Sequence, residues 1–83
     1  MRRYSSVSAF LAHYEALRAS RDRGITPDEQ KILATMDRLL GTLRPDEREA
    51  ILSSSDSPAT ARHRERGLLR LRRELLASGA IDG

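Results

Sequence analysis

Apolar residues recur at helical spacing along most of the chain, and the interruptions divide it into four helices. Val7, Phe10, Leu11, Tyr14 and Leu17 fall at i, i+3, i+4, i+7 and i+10, a single stripe on one face. This predicts a helix over 6–23, capped by Ser5 or Ser6 and closed by Gly24. Thr26-Pro27-Asp28-Glu29 then supplies a capping threonine, a proline at the first helical position and a glutamate three residues after the cap. Behind it Ile32, Leu33, Met36, Leu39, Leu40 and Leu43 form an unbroken stripe, predicting a helix over 27–42 that frays or ends near Gly41.

The third predicted helix, 45–53, is short. Pro45 opens it, Asp46, Glu47 and Glu49 suit its positive N-terminal end, and Ala50, Ile51 and Leu52 anchor it. Ser53-Ser54-Ser55-Asp56-Ser57 stops it, because these side chains bond their own backbone in competition with helix. Ser57 caps the last helix, Pro58 takes its first position, and the helix runs over 58–78 to Gly79. Ala80 to Gly83 are expected to be a loose tail. No alternating run or hairpin signal predicts a strand.

Length then limits the energetics. Eighty-three residues make one domain, 1–83, with twenty-two large apolar side chains to build its core. A chain of this size buries only about 60% of its unfolded surface, so a second copy is one expected source of further stability. There is no cysteine, hence no disulfide framework and no thiol nucleophile. The N-terminus lacks the apolar run of a signal peptide, and nothing approaches the roughly 20 apolar residues of a membrane span. These readings point to a soluble cytoplasmic protein with no membrane partner.

Charge changes the picture of the fourth helix. The chain carries +3 overall, but residues 61–73 alone hold six arginines and one glutamate. On a wheel at about 100° per residue, with Ala61 at zero, Leu68, Leu75, Leu76, Leu69 and Leu71 form an apolar arc. Arg62, Arg66, Arg70 and Arg73 lie opposite, with His63 at their edge. Guanidinium groups reach phosphate oxygens or the edge of guanine in a bidentate manner, and a helix fits the DNA major groove. Glu65 and Arg72 interrupt the apolar arc, where Arg72 is expected to snorkel and Glu65 to pair with an arginine of another helix or subunit. Gly67, costly within a helix, implies close approach to a neighbouring helix. Arginine-rich faces also arise as merely solvated surfaces, and fourteen of the fifteen basic residues here are arginine, a bias that a GC-rich genome produces by itself.

Enzyme chemistry finds no foothold. His13 and His63 stand on different helices without metal-ligand spacing, and no HExxH, CxxC, GxGxxG or GxSxG pattern occurs. His13, beside the first apolar stripe, is expected to pack. A non-enzymatic protein without metal or cofactor is expected.

Residues 57–73, SPATARHRERGLLRLRR, resemble the recognition helix of sigma-70 region 4 and related helix-turn-helix domains, which run approximately S-x-x-T-V-x-x-R-L-x-R-A-L-x-x-L-R. Upstream, Leu43 to Leu52, LRPDEREAIL, is similar to the L-x-P-x-E-R-E-x-L segment of the same family. The family spaces these two segments further apart; here the serine run stands between them. The resemblance implies promoter recognition and contact with RNA polymerase, with Thr60, Arg62, His63 and Arg66 facing DNA. The expected fold is all-α, a small four-helix orthogonal bundle with a helix-turn-helix-like C-terminal half. The expected function is docking of the basic last helix on double-stranded DNA through Thr60, Arg62, His63, Arg66, Arg70 and Arg73. The alternative is a helical protein–protein interaction module, as a homodimer or with another partner, that binds no nucleic acid.

Overall fold

Four α-helices form wherever a cap and an apolar stripe coincide. The computed structural model describes residues 3–82, and within them the helices are α1 (Val7–Ser20), α2 (Pro27–Leu40), α3 (Pro45–Leu52) and α4 (Pro58–Ser78). No strand is present among the described residues; one isolated bridge joins Tyr4 to Ile81.

The caps act as their sequences dictate. Ser6, Thr26 and Ser57 each accept a hydrogen bond from the backbone N–H three residues on. The Thr26 N–H in turn donates to Glu29 Oε1 at 3.0 Å, and this bond, together with the Thr26 hydroxyl, lowers the pKa of the Glu29 carboxyl. The first helix is shorter than the expected 6–23, because its end tightens into a 3-10 turn over Arg21–Arg23. The second stops at Leu40 rather than 42, where Gly41 becomes its C-cap. Gly79 ends α4 in the left-handed conformation, φ 77°, that glycine adopts without a Cβ clash.

One continuous core joins these elements. Phe10, Tyr14 and Leu17 of α1 meet Leu33, Met36, Leu39 and Leu40 of α2, with Leu43 beyond, and Leu71 and Leu75 of α4. Tyr14 adds a polar link inside this contact, its O–H donating to Asp37 at 2.5 Å. His13 is half-buried against Tyr4, whose hydroxyl shares a hydrogen bond with its Nδ1. That agrees with its expected packing role.

The C-terminal residues are not a loose tail. Ala80 and Ile81 are buried, and the Tyr4 N–H donates to the Ala80 carbonyl at 2.7 Å. Arg3 and Asp82 approach to 3.4 Å on the surface above. The left-handed turn at Gly79 folds the chain back so that Ile81 joins the core beside Tyr4 and the end of α4, an apolar closure that the expectation of a loose tail missed.

The α3 and α4 helices form the most intimate pair, and Gly67 is the reason. A Cβ at position 67 would stand 2.9 Å from Ile51 Cδ1, 3.1 Å from Glu47 Cβ and 3.2 Å from the Glu47 carbonyl. The close approach expected from the sequence is therefore made against α3. Gly67→Ala gains about 1 kcal/mol of helix propensity but overpacks this contact at a cost of about 1–3 kcal/mol. We expect a net loss on the order of 1 kcal/mol in denaturant unfolding; a gain in stability would show that α3 yields freely. Ile81→Ala should lose about 2–4 kcal/mol in the same measurement, where a loose tail would lose nothing.

Candidate nucleic-acid interface

The rotation of α4 about its own axis decides which arginines face outward. Its buried side is centred on Leu71, with Gly67 and Leu75 buried and Arg64 and Leu68 half-buried beside them. This differs from the arc drawn through all five leucines. Leu69 is 61% exposed, and Ala61, Glu65 and Arg72 are also exposed, so Glu65 and Arg72 do not interrupt a buried face. Leucine count placed the centre of the arc too far round. The inner face instead includes a glycine and an arginine stem, neither of which scores as apolar.

Arg64 faces inward to complete α3. Its Nε donates to the Ala50 carbonyl at 3.0 Å, and one Nη donates to the carbonyls of Ser53 and Ser55 at 3.2 and 2.7 Å. A helix end leaves carbonyls without intrahelical partners, and here one guanidinium takes the Ala50 carbonyl of the last turn of α3 and two carbonyls of the segment that leads into α4. The sequence reading missed this role; an arginine six residues into a helix that follows a polar turn is only a faint signal for it.

Two residues expected to meet DNA are engaged with α3. Arg70 Nε lies 3.2 and 3.3 Å from the two carboxylate oxygens of Glu47. Glu47 is 2% exposed and also accepts from the Arg44 N–H at 3.2 Å. Its role extends beyond the expected dipole effect: it is a buried carboxylate tying α3 to α4. His63 Nδ1 lies 3.4 Å from Asp46. Thr60 turns the same way, its hydroxyl bonded by Ser57 at 2.7 Å and its side chain lining a hollow with Asp46, Glu49 and His63.

The remaining three stand together. Arg62, Arg66 and Arg73 are exposed on one face of α4 and flank the exposed Leu69. Among the described residues none of the three forms an ion pair with a carboxylate. A hollow of about 210 Å³ opens between Ala59, Arg62, His63 and Arg66 at the start of the helix. The surface of α4 is thus divided, with an acid-paired flank against α3 and an unpaired basic flank towards solvent.

No protein-family model, curated protein or solved structure matches this chain. Among the described residues no group of three or more histidine, aspartate or glutamate side chains is placed to hold a metal ion. No described helix is long and apolar enough to cross a membrane.

Arg70→Gln removes the partner of a buried carboxylate, which typically costs about 1–3 kcal/mol. We expect a loss of that size in denaturant unfolding, and a smaller further loss when Glu47→Gln is added to it, because the two side chains act as a unit. Strict additivity in this double-mutant cycle would mean that the pair is not coupled.

Proposed function

We propose that the protein is a non-enzymatic, cytoplasmic, transcription-associated module that docks on double-stranded DNA through the outer face of α4. The observation that carries this reading is the unpaired set Arg62, Arg66 and Arg73, presented together on a long helix whose other arginines are engaged or set apart. Arg62 and Arg66 lie one turn apart in the N-terminal half of α4, where groove-binding helices contact DNA. The turn over residues 53–57 and the packing of α3 on α4 give a helix–turn–helix unit to present them. The resemblance of residues 43–73 to sigma-70 region 4 supports the same reading and adds RNA polymerase as a protein partner to test. Within that reading, Thr60, His63 and Arg70 position α4 from α3, and Arg62, Arg66 and Arg73 contact the nucleic acid.

A second reading has one observation of its own. Leu69 is a large apolar side chain left exposed in the middle of the basic face. A helix–helix interaction module, with a second copy or another protein as partner, would bury it.

Binding to a labelled mixed-sequence duplex across a salt series separates the two. Wild-type protein should lose affinity steeply with salt, and Arg62→Gln/Arg66→Gln/Arg73→Gln should bind at least tenfold more weakly. The slope of log K against log salt should flatten by about 0.9 for each phosphate contact removed. Equal binding by wild type and the triple variant would overturn the DNA reading. Concentration-dependent association abolished by Leu69→Glu, without DNA binding, would establish the second.

A further inference from the structure

The α4 ridge is not the only place where arginines converge. Arg18 lies in the last turn of α1, Arg21 begins the 3-10 turn after it, and Arg48 belongs to α3. Thirty residues of chain separate Arg18 from Arg48, yet all three line one open cleft of about 330 Å³. Tyr14 and Asp37 complete its polar wall.

The cleft is partly organised by its own contacts. The Arg18 guanidinium stacks over the Tyr14 ring, 5.5 Å from its centroid. Arg21 approaches one Asp37 oxygen at 3.8 Å, and the Tyr14 O–H donates to the other at 2.5 Å. Asp37 is therefore oriented towards Arg21 and Tyr14. Among the described residues neither Arg18 nor Arg48 forms an ion pair with a carboxylate. Three guanidinium groups against one carboxylate leave the cleft with a formal charge of +2.

Tyr14 reports on the same field. Burial and the neighbouring Asp37 raise its phenol above the ordinary value of 10.0, while Arg18 and Arg48 act in the opposite sense. Both guanidinium groups thus lie close enough for their charges to act on the hydroxyl at the cleft wall.

We infer that this cleft between α1, α2 and α3 is a binding site for the phosphate group of a small phosphomonoester. Guanidinium groups match phosphate oxygens in bidentate geometry, and several from different directions suit a tetrahedral dianion better than a planar carboxylate. The charge of the cleft complements a phosphomonoester at neutral pH, which carries about −1.5 to −2. The site shares no residue with the arginine ridge of α4, so it stands whether or not that ridge binds DNA.

The test titrates inorganic phosphate, then ribose phosphate, into ¹⁵N-labelled protein at fixed ionic strength while following the arginine Nε–Hε signals. The signals of Arg18, Arg21 and Arg48 should shift saturably, with a midpoint at or below about 1 mM, and those of Arg62, Arg66 and Arg73 should move far less. Phosphate at about 10 mM should raise the Tm by at least about 6 °C. Arg18→Gln/Arg48→Gln, two exposed positions, should lose at least tenfold in phosphate affinity while folding normally by circular dichroism; Arg62→Gln/Arg66→Gln should keep it. Absence of saturation at 10 mM phosphate, or an equal response in both double variants, would overturn the proposal. So would loss of duplex DNA affinity in Arg18→Gln/Arg48→Gln as large as in the ridge variant, since the cleft would then be part of a polynucleotide surface.

Discussion

The close contact of Gly67 with α3 at Glu47 is the constraint on which the rest of the C-terminal half depends. With no Cβ at position 67, the two helices meet at near-backbone distance. That approach fixes the rotation of α4, and the rotation decides the surroundings of the arginines along it. Arg64 is turned onto the carbonyl end of α3, Arg70 onto the buried Glu47 carboxylate, and Arg62, Arg66 and Arg73 into solvent. Leu71 and Leu75 follow the same rotation into the core shared with α1 and α2. A larger residue at 67 would push the helices apart and loosen these assignments together.

Charge is divided along the same line. The acidic start of α3 has two functions, since Asp46 and Glu47 suit the positive end of their own helix and also draw in His63 and Arg70 from α4. A buried carboxylate is tolerable only with partners, and Glu47 has both a guanidinium and a backbone N–H. The consequence for function is selective. One flank of α4 is paired with acidic side chains of its neighbour, and the other keeps its positive charge exposed to solvent. A second basic region forms in the cleft lined by the end of α1, the turn after it and α3, where Arg48 joins Arg18 and Arg21 from thirty residues along the chain.

Helix identity was legible because its causes are local. The Thr26 capping box, the Ser57-Pro58 start and Gly79 act over a few residues, so α2 began and α4 began and ended where the caps placed them. The stripe Phe10, Tyr14 and Leu17 faces the core as its spacing requires. The need for close approach at Gly67 was legible too, although not its partner. That Arg62, Arg66, Arg70 and Arg73 lie on the outer side was legible because the arginine side of the wheel is broad enough to survive an error in its centre, but the pairing of Arg70 with Glu47 was not. Illegible were the buried Glu47, the inward Arg64 and the buried Ile81, each of which depends on a residue distant in the chain.

The sequence by itself determined four helices, their caps and the presence of a strongly basic last helix, because hydrogen bonding within a helix and the period of its side chains are properties of neighbouring residues. Tertiary structure alone decided which arginines are free, where the C-terminal residues lie and that Arg18, Arg21 and Arg48 share a cleft. Those outcomes depend on the rotation and approach of packed helices, and a contact between residues far apart in the chain leaves no periodic trace in either segment.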